Sequence, residues 1–214
     1  MLSFDFFYIL TVSSTKAFKM NLINRVKKLL ITPKTEWDVI SNEIATPQSL
    51  LTSYVLPLAI VSAVGPLLTG LLFPGAFGLS FFLVTAIIAF ISTTLGYYIS
   101  VYIVDLLAPS FGSEKDLNKS AQLVAYSGTP SYVAGLLGFI PVLGGLLKFA
   151  GWIYSVYIMY LGVGPLKQTP EDKKVIYLLI AFLVMIGTTL VISAVLGAIL
   201  FASIGLDGMR SMGI

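Results

Sequence analysis

Cysteine and histidine are both missing from this 214-residue chain. Their absence removes disulfides, thiolate or imidazole metal ligands, cysteine nucleophiles and histidine acid-base chemistry, and leaves the redox compartment unread. Charge is scarce as well, at 11% of residues against about 25% in soluble domains. Five apolar stretches, at 51–73, 81–107, 120–140, 142–163 and 175–204, hold only two charged residues between them, Asp105 and Lys148. What fills the chain instead is apolar: 57% of residues are hydrophobic and the mean hydropathy is +0.95. About 20 apolar residues rising 1.5 Å each match roughly 30 Å of hydrocarbon, and each stretch is long enough. The expected fold is therefore all-α, a polytopic bundle of five transmembrane helices occupying 51–206.

The net charge of +3 matters less than where the cations stand. Lys16, Lys19, Arg25, Lys27, Lys28 and Lys34 precede the first span, Lys115 and Lys119 follow the second, and Lys167, Lys173 and Lys174 follow the fourth. The connection at 74–80 has none, and only Lys148 and Arg210 fall elsewhere. An excess of Lys and Arg marks cytoplasmic loops, so the chain is expected N-in and C-out. The third and fourth spans, joined at Ile140-Pro141, either cross fully or form a re-entrant pair.

Residues 1–19 read as a native start or as an upstream extension of the reading frame ahead of Met20. The apolar run at 2–12 carries Asp5 and lacks a basic flank and a small-residue cleavage site, which makes it a poor signal peptide. From Met20 to residue 50 the chain is expected to be cytoplasmic or interfacial. Leu22, Ile23, Val26, Leu29 and Leu30 share one helical face, and Asn21, Asn24, Arg25 and Lys28 the other. Such a helix can lie on the inner leaflet, with Arg25, Lys27 and Lys28 meeting anionic head groups at about 1 kcal/mol per cation, or it can pack on the ends of the spans. Thr35 is placed to cap a second short helix with Asp38 as its reciprocal partner, and Trp37 has the amphipathic ring found at head-group depth. Thr46-Pro47 supplies an N-cap and first-turn proline for the first span.

Within the spans, a carboxylate such as Asp105 costs about 2.5–3.5 kcal/mol at mid-depth and so needs a partner or water; it is either an ion-linked group or a helix-end residue bonded to a neighbour. Lys148 is expected to snorkel to the outer face, away from Asp105. The third span is interrupted by Gln122, Tyr126, Ser127, Gly128, Thr129 and Pro130. Pro130 removes a backbone donor and frees the carbonyl of Tyr126, which either coordinates an ion, as broken helices in transporters do, or is closed by a hydroxyl. Gly151 with Ser155, Ser193 with Gly197 and Ala194 with Ala198 are small residues four apart that let helices approach closely, inside a tight bundle or in a homo-oligomer. Tyr154, Tyr157 and Tyr160 share one face of the fourth span.

These segments together resemble the Ypt-interacting-protein (Yip) domain family of five-span membrane proteins, in its prokaryotic form. The resemblance covers about residues 20–204 and rests on the basic start, Trp37 in Lys34-Thr-Glu-Trp37-Asp-Val-Ile, Asp105-Leu-Leu-Ala-Pro109 and Ala125-Tyr-Ser-Gly-Thr-Pro130. Eukaryotic members carry an Asp-Leu-Tyr-Gly-Pro segment and then a Gly-Tyr segment with a downstream proline. Asp105, Leu106 and Pro109 match the first, with Leu107 and Ala108 in place of Tyr and Gly; Tyr126 and Pro130 match the second, with Ala125 in place of Gly. The resemblance implies trafficking and membrane-shaping roles for eukaryotic members and no settled activity for prokaryotic ones; the leading reading of this chain is a non-enzymatic integral protein of a prokaryotic cytoplasmic membrane that organises membrane or partner proteins. Its functional candidates are Asp105, Pro109, Tyr126, Ser127, Pro130 and Lys148, and its lipid-surface candidates are Arg25, Lys27, Lys28 and Trp37. The expected partners are anionic inner-leaflet lipids, a protein of unknown identity or a second copy of the chain, with no nucleic acid and no cofactor. The alternative is a small channel or transporter built on Asp105, the broken third span and the tyrosine face. An intramembrane enzyme is less favoured, since no carboxylates pair within a turn and Ser127 has only Lys148 as a conceivable base.

Overall fold

The computed structural model describes residues 22–73 and 78–211, with side chains described for 22–73 and 79–199. The segment at 1–21, including the expected extension and Asn21, lies outside the described residues, as do most of the 74–80 connection and the side chain of Arg210. Among the described residues every element is helical. Two short helices, α1 (Leu22–Ile31) and α2 (Pro33–Ser41), form a hairpin. The rod α3 (Pro47–Leu72) and helices α4 (Gly78–Leu107), α5 (Leu117–Ser127), α6 (Thr129–Leu136), α7 (Leu143–Lys167) and α8 (Glu171–Ser211) follow. By length and composition, four helices can cross a membrane: Pro47–Leu72, Leu79–Phe111, Leu143–Lys167 and Glu171–Ile199.

Local chemistry explains the helix starts. At α3 the Thr46 hydroxyl accepts from the Ser49 N–H (3.2 Å) while Ser49 Oγ accepts from the Thr46 N–H (3.0 Å), a capping box followed by Pro47 in the first turn. The rod then widens to a π-turn over Leu51–Val55. Pro57 has no N–H to offer the carbonyl of Ser53, and the Thr52 and Ser53 hydroxyls bond back to the turn before. The expected Thr35 cap is not formed. Helix α2 starts earlier, at Pro33 after Thr32, because a proline fits the first turn where its missing N–H is not needed; Thr35 donates to the Thr32 carbonyl instead (3.1 Å).

The stretch expected as one third span is two helices that meet at Gly128. Asp116 opens α5 by accepting from the N–H groups of Asn118 (2.8 Å) and Lys119 (3.1 Å). The α5–α6 pair runs antiparallel to α7 along its whole length. Lys167 reaches the Asp116 carbonyl at one end (3.2 Å), Ser131 and Ser155 share a hydrogen bond midway (2.8 Å), and Gly144 lies against the Gly138 backbone at the other end. Small residues make this approach possible: a Cβ on Gly151 would stand 2.9 Å from the Pro130 carbonyl oxygen, and one on Gly65 of α3 2.2 Å from that of Gly135. The Gly151–Ser155 step is thus used inside the chain. In contrast, Ala194 and Ala198 on α8 stay exposed. The fourth span also differs from expectation, since α7 continues past Pro165 to Lys167 and carries into the helix a lysine expected in a loop.

The densest part of the core, with Trp37, Leu123, Val101, Val104, Ile158, Val163 and Tyr177 all fully buried, lies where the α1–α2 hairpin covers one end of the bundle. The basic stretches gather at this same end. Lys119 donates to the carbonyls of Ser41 (2.6 Å) and Glu43 (3.2 Å), and the Glu114 N–H donates to the Lys167 carbonyl (2.8 Å). Away from it, Leu71, Leu72, Leu190, Val191 and Ile199 are exposed.

Candidate functional site

Two buried charged layers stand under the hairpin. In the first, α1 turns Leu22, Arg25 and Leu29 inward, one residue off the face that hydropathy alone suggests, so that Ile23 is 72% exposed and Arg25 3%. Arg25 Nη1 bonds Glu36 Oε1 at 2.6 Å and Nη2 bonds Glu43 Oε1 at 2.5 Å. Its guanidinium also lies 5.1 Å over the Tyr126 ring, a favourable cation–π placement. Lys28 reaches the second oxygen of Glu36 from the rim at 3.6 Å. The expected contact of Arg25 with lipid head groups is therefore corrected: two carboxylates on the following segment draw it inside. Trp37 is corrected in the same way. It is fully buried and donates its indole N–H to the Ile158 carbonyl (2.9 Å), with its ring against Gly162, where a Cβ would come within 2.5 Å. Lys27 and Lys28 remain exposed.

Tyr126 ties this layer to the helix break. Its ring meets Tyr54 edge-on at 4.8 Å and Trp37 at 6.3 Å. The carbonyl of Tyr126, deprived of a donor by Pro130, accepts from the Thr129 hydroxyl at 2.6 Å. A hydroxyl has one proton to give, so the 2.7 Å bond between Tyr54 and Thr129 is donated by the phenol. The break is closed by side chains rather than left open for an ion. Ser127 is buried and donates to the Leu123 carbonyl (2.5 Å).

In the second layer Asp105 finds a partner that sequence reasoning missed. Its Oδ1 accepts from Lys167 Nζ (3.3 Å) and Ser120 Oγ (3.0 Å), and Lys167 also donates to Ser120 Oγ (2.7 Å). Lys167 is fully buried and Asp105 is 6% exposed. Beside them the Tyr177 phenol donates to the Val104 carbonyl (2.6 Å) and its ring stacks on Phe111 at 5.2 Å. Pro109 sits exposed in the tight turn Ala108–Phe111, which ends at Gly112 with φ +67°. Lys148 is far from this layer, exposed at the other end with its terminal atoms over Gly138.

The Yip1 domain profile matches residues 27–194, more than half of the chain. The chain belongs to the Yip1 domain family. No curated protein and no solved structure matches it. Together with the four long apolar helices, membership makes this an integral membrane protein, and the Yip1 family is in general membrane-associated and non-catalytic.

Within the Yip1 domain, the resemblance's two short motifs fall one in each layer: Asp105 and Pro109 with Lys167, and Tyr126 and Pro130 with Arg25. Both layers are closed. Buried charges are held by opposite charges and hydrogen bonds, an arrangement that confers geometry more than net stability. The Ser120–Lys167 contact has the distance of a nucleophile and base, yet both side chains are fully buried and the lysine is held by Asp105, so no substrate can reach them. Ser127 and Lys148 are not brought together. Tyr154 donates to the Leu30 carbonyl (2.8 Å) and stacks on Tyr157, and Tyr160 faces outward. Glu36, Glu43 and Lys167 are the residues that sequence reasoning overlooked. The acidic pair left a partial signal, since Glu36, Asp38 and Glu43 follow the basic run at 25–34; Lys167 left none, being one lysine among three in an expected loop.

Proposed function

We propose that this Yip1 domain protein is a non-enzymatic organiser of membrane lipid or partner proteins, five-span and N-in/C-out, in a prokaryotic cytoplasmic membrane. One observation carries the reading. The α1–α2 hairpin is clamped to the bundle by Arg25 with Glu36 and Glu43, and by Trp37 with Ile158, while its outer side carries Lys27, Lys28 and Lys34 alongside the 66%-exposed Ile31. A fixed surface of cations and branched apolar side chains suits a leaflet of anionic lipid or a docking protein, since each cation adds about 1 kcal/mol near such a surface. The antiparallel run of α5–α6 along all of α7 supports a fifth crossing rather than a shallow re-entrant pair. The domain layout taken here is a 20–50 interfacial region followed by a 51–206 membrane domain. The exposed Ala194–Ala198 step leaves a close-approach face for a second copy.

The natural lack of cysteine makes orientation testable with single-cysteine variants. Lys34→Cys and Lys115→Cys should react with an impermeant maleimide only in inverted vesicles, and Val142→Cys only in right-side-out ones; reaction of Val142→Cys from the cytoplasmic side would overturn the fifth span. For function, native mass spectra from nanodiscs of mixed phosphatidylglycerol and phosphatidylcholine should show retained phosphatidylglycerol. The triple variant Lys27→Glu, Lys28→Glu, Lys34→Glu should lose most of it. Equal retention by that variant, with no protein co-purifying from native membranes, would sink the organiser reading.

A further inference from the structure

Next to the closed layers lies an open space. Between α4, the α5–α6 break, α7 and α8 is a cavity of about 470 Å³, within the size range of small-molecule sites. No charged residue lines it, yet hydroxyl groups do. Hydroxyls on apolar helices ordinarily bond back to the carbonyl four residues earlier. Thr85, Thr94, Thr188 and Thr189 all do so in this chain. On the cavity wall, Thr93 and Ser100 make no such bond, and one helical face of α4 carries both, with Gly96 between them. The phenol of Tyr132 is the sharper case. Those of Tyr54, Tyr97, Tyr154 and Tyr177 each reach a protein oxygen; the half-buried Tyr132 hydroxyl has no partner among the described residues, and of the phenols without one, which include Tyr102, Tyr126, Tyr157 and Tyr160, it alone belongs to a residue that lines this cavity. A polar group in low dielectric without a partner is costly, so three of them around one cavity point to something that bonds them there.

We propose that this cavity binds an uncharged, membrane-dissolved amphiphile, an apolar body with a single hydroxyl or carbonyl head that pairs with Tyr132, Thr93 and Ser100. Charge decides the class. A bare carboxylate, phosphate or ammonium would lie against walls with no counter-charge, while an alcohol or carbonyl needs only the hydroxyls present. Gly96 keeps the space open: a Cβ there would meet nothing nearer than the Thr189 hydroxyl at 4.0 Å. The Ser131–Ser155 bond (2.8 Å) forms the opposite wall and holds α6 to α7. Two sources share the required chemistry, a neutral glycerolipid and a long isoprenoid alcohol or quinone.

The test uses the full chain in nanodiscs and a photoactivatable diazirine derivative of a long-chain alcohol, with adducts mapped by peptide mass spectrometry. Adducts should concentrate around residues 93–100 and Tyr132, and anionic or quaternary-ammonium diazirine probes of equal chain length should label there about tenfold less, the difference one well-placed charge-free hydrogen-bonding head makes. Gly96→Leu, which fills the space, should abolish cavity adducts; Tyr132→Phe, which removes a hydroxyl with no protein partner, should lower them several-fold with melting unchanged. If Gly96→Leu fails to fold, the pair Thr93→Val and Ser100→Ala gives the same reading. Competition by diacylglycerol assigns the glycerolipid and competition by an isoprenoid alcohol the other source; competition by neither overturns the site. Even labelling along the outward residues Val191 and Val195, or equal labelling by charged probes, would show mere partition into the bilayer and overturn it as well.

Discussion

The two ends of this bundle are held by different physics. At the hairpin end, specific polar bonds join distant segments: Arg25 to Glu36 and Glu43, Lys167 to Asp105, Trp37 to Ile158 and Lys119 to Ser41. In the other half, Gly65 lies on Gly135 and Gly144 on Gly138, with little polar bonding and many apolar side chains turned outward. The difference follows from the surroundings. Where the returning chain brings opposite charges together, their desolvation is offset only by precise pairing, so the pairs specify geometry; in hydrocarbon, apolar surface gives no drive to associate and only close packing does. One end is thus specific and unforgiving of lost partners, the other tolerant of changes on its lipid side.

The contrast breaks most sharply if one member of a charged layer is removed. Lys167→Met, which strips Asp105 of its cation, and Arg25→Met, which takes the guanidinium from Glu36 and Glu43 and leaves Glu36 only the rim contact with Lys28, should each destabilise by about 3–5 kcal/mol, read as melting in nanodiscs. Restoring neutrality with Asp105→Leu on the Lys167→Met background should recover most of that loss, and a failure to recover would mean that Asp105 is not the lysine's main partner. Next comes Trp37→Phe, which loses the bond to Ile158 and part of the ring contact with Gly162; about 2 kcal/mol is expected, with faster proteolysis of the hairpin than of the spans. Thr129→Val leaves both the Tyr126 carbonyl and the Tyr54 phenol without their bond, for about 1–2 kcal/mol. Least of all, Val191→Ala and Val195→Ala on the outward face of α8 should stay within about 0.5 kcal/mol; a loss as large as that of Thr129→Val would show that this face is covered by another protein surface.

Much of the helical layout could be read without coordinates because it depends on local properties. Thr46, Ser49 and Pro47 start α3 by bonds within one turn, and the break before Pro130 follows from a missing N–H. The two layers could not be read this way. Arg25 looked like part of a polar outer face because its polar neighbours on α1, Asn24 and Lys28, do not reveal two carboxylates eleven and eighteen residues on. The cavity was equally hidden, since an unpaired hydroxyl is known only once its surroundings are.

What this sequence settled by itself was its solvent: long apolar runs with almost no charge have no stable place except a bilayer, whatever packs beside them. Tertiary structure alone decided which charges became partners. Asp105 and Lys167 stand sixty-two positions apart, and their pairing exists only because α7 returns along α5–α6 and ends level with Ser120. A charge inside a fold takes whichever opposite charge the returning chain places within reach, and no local pattern of residues encodes that distance.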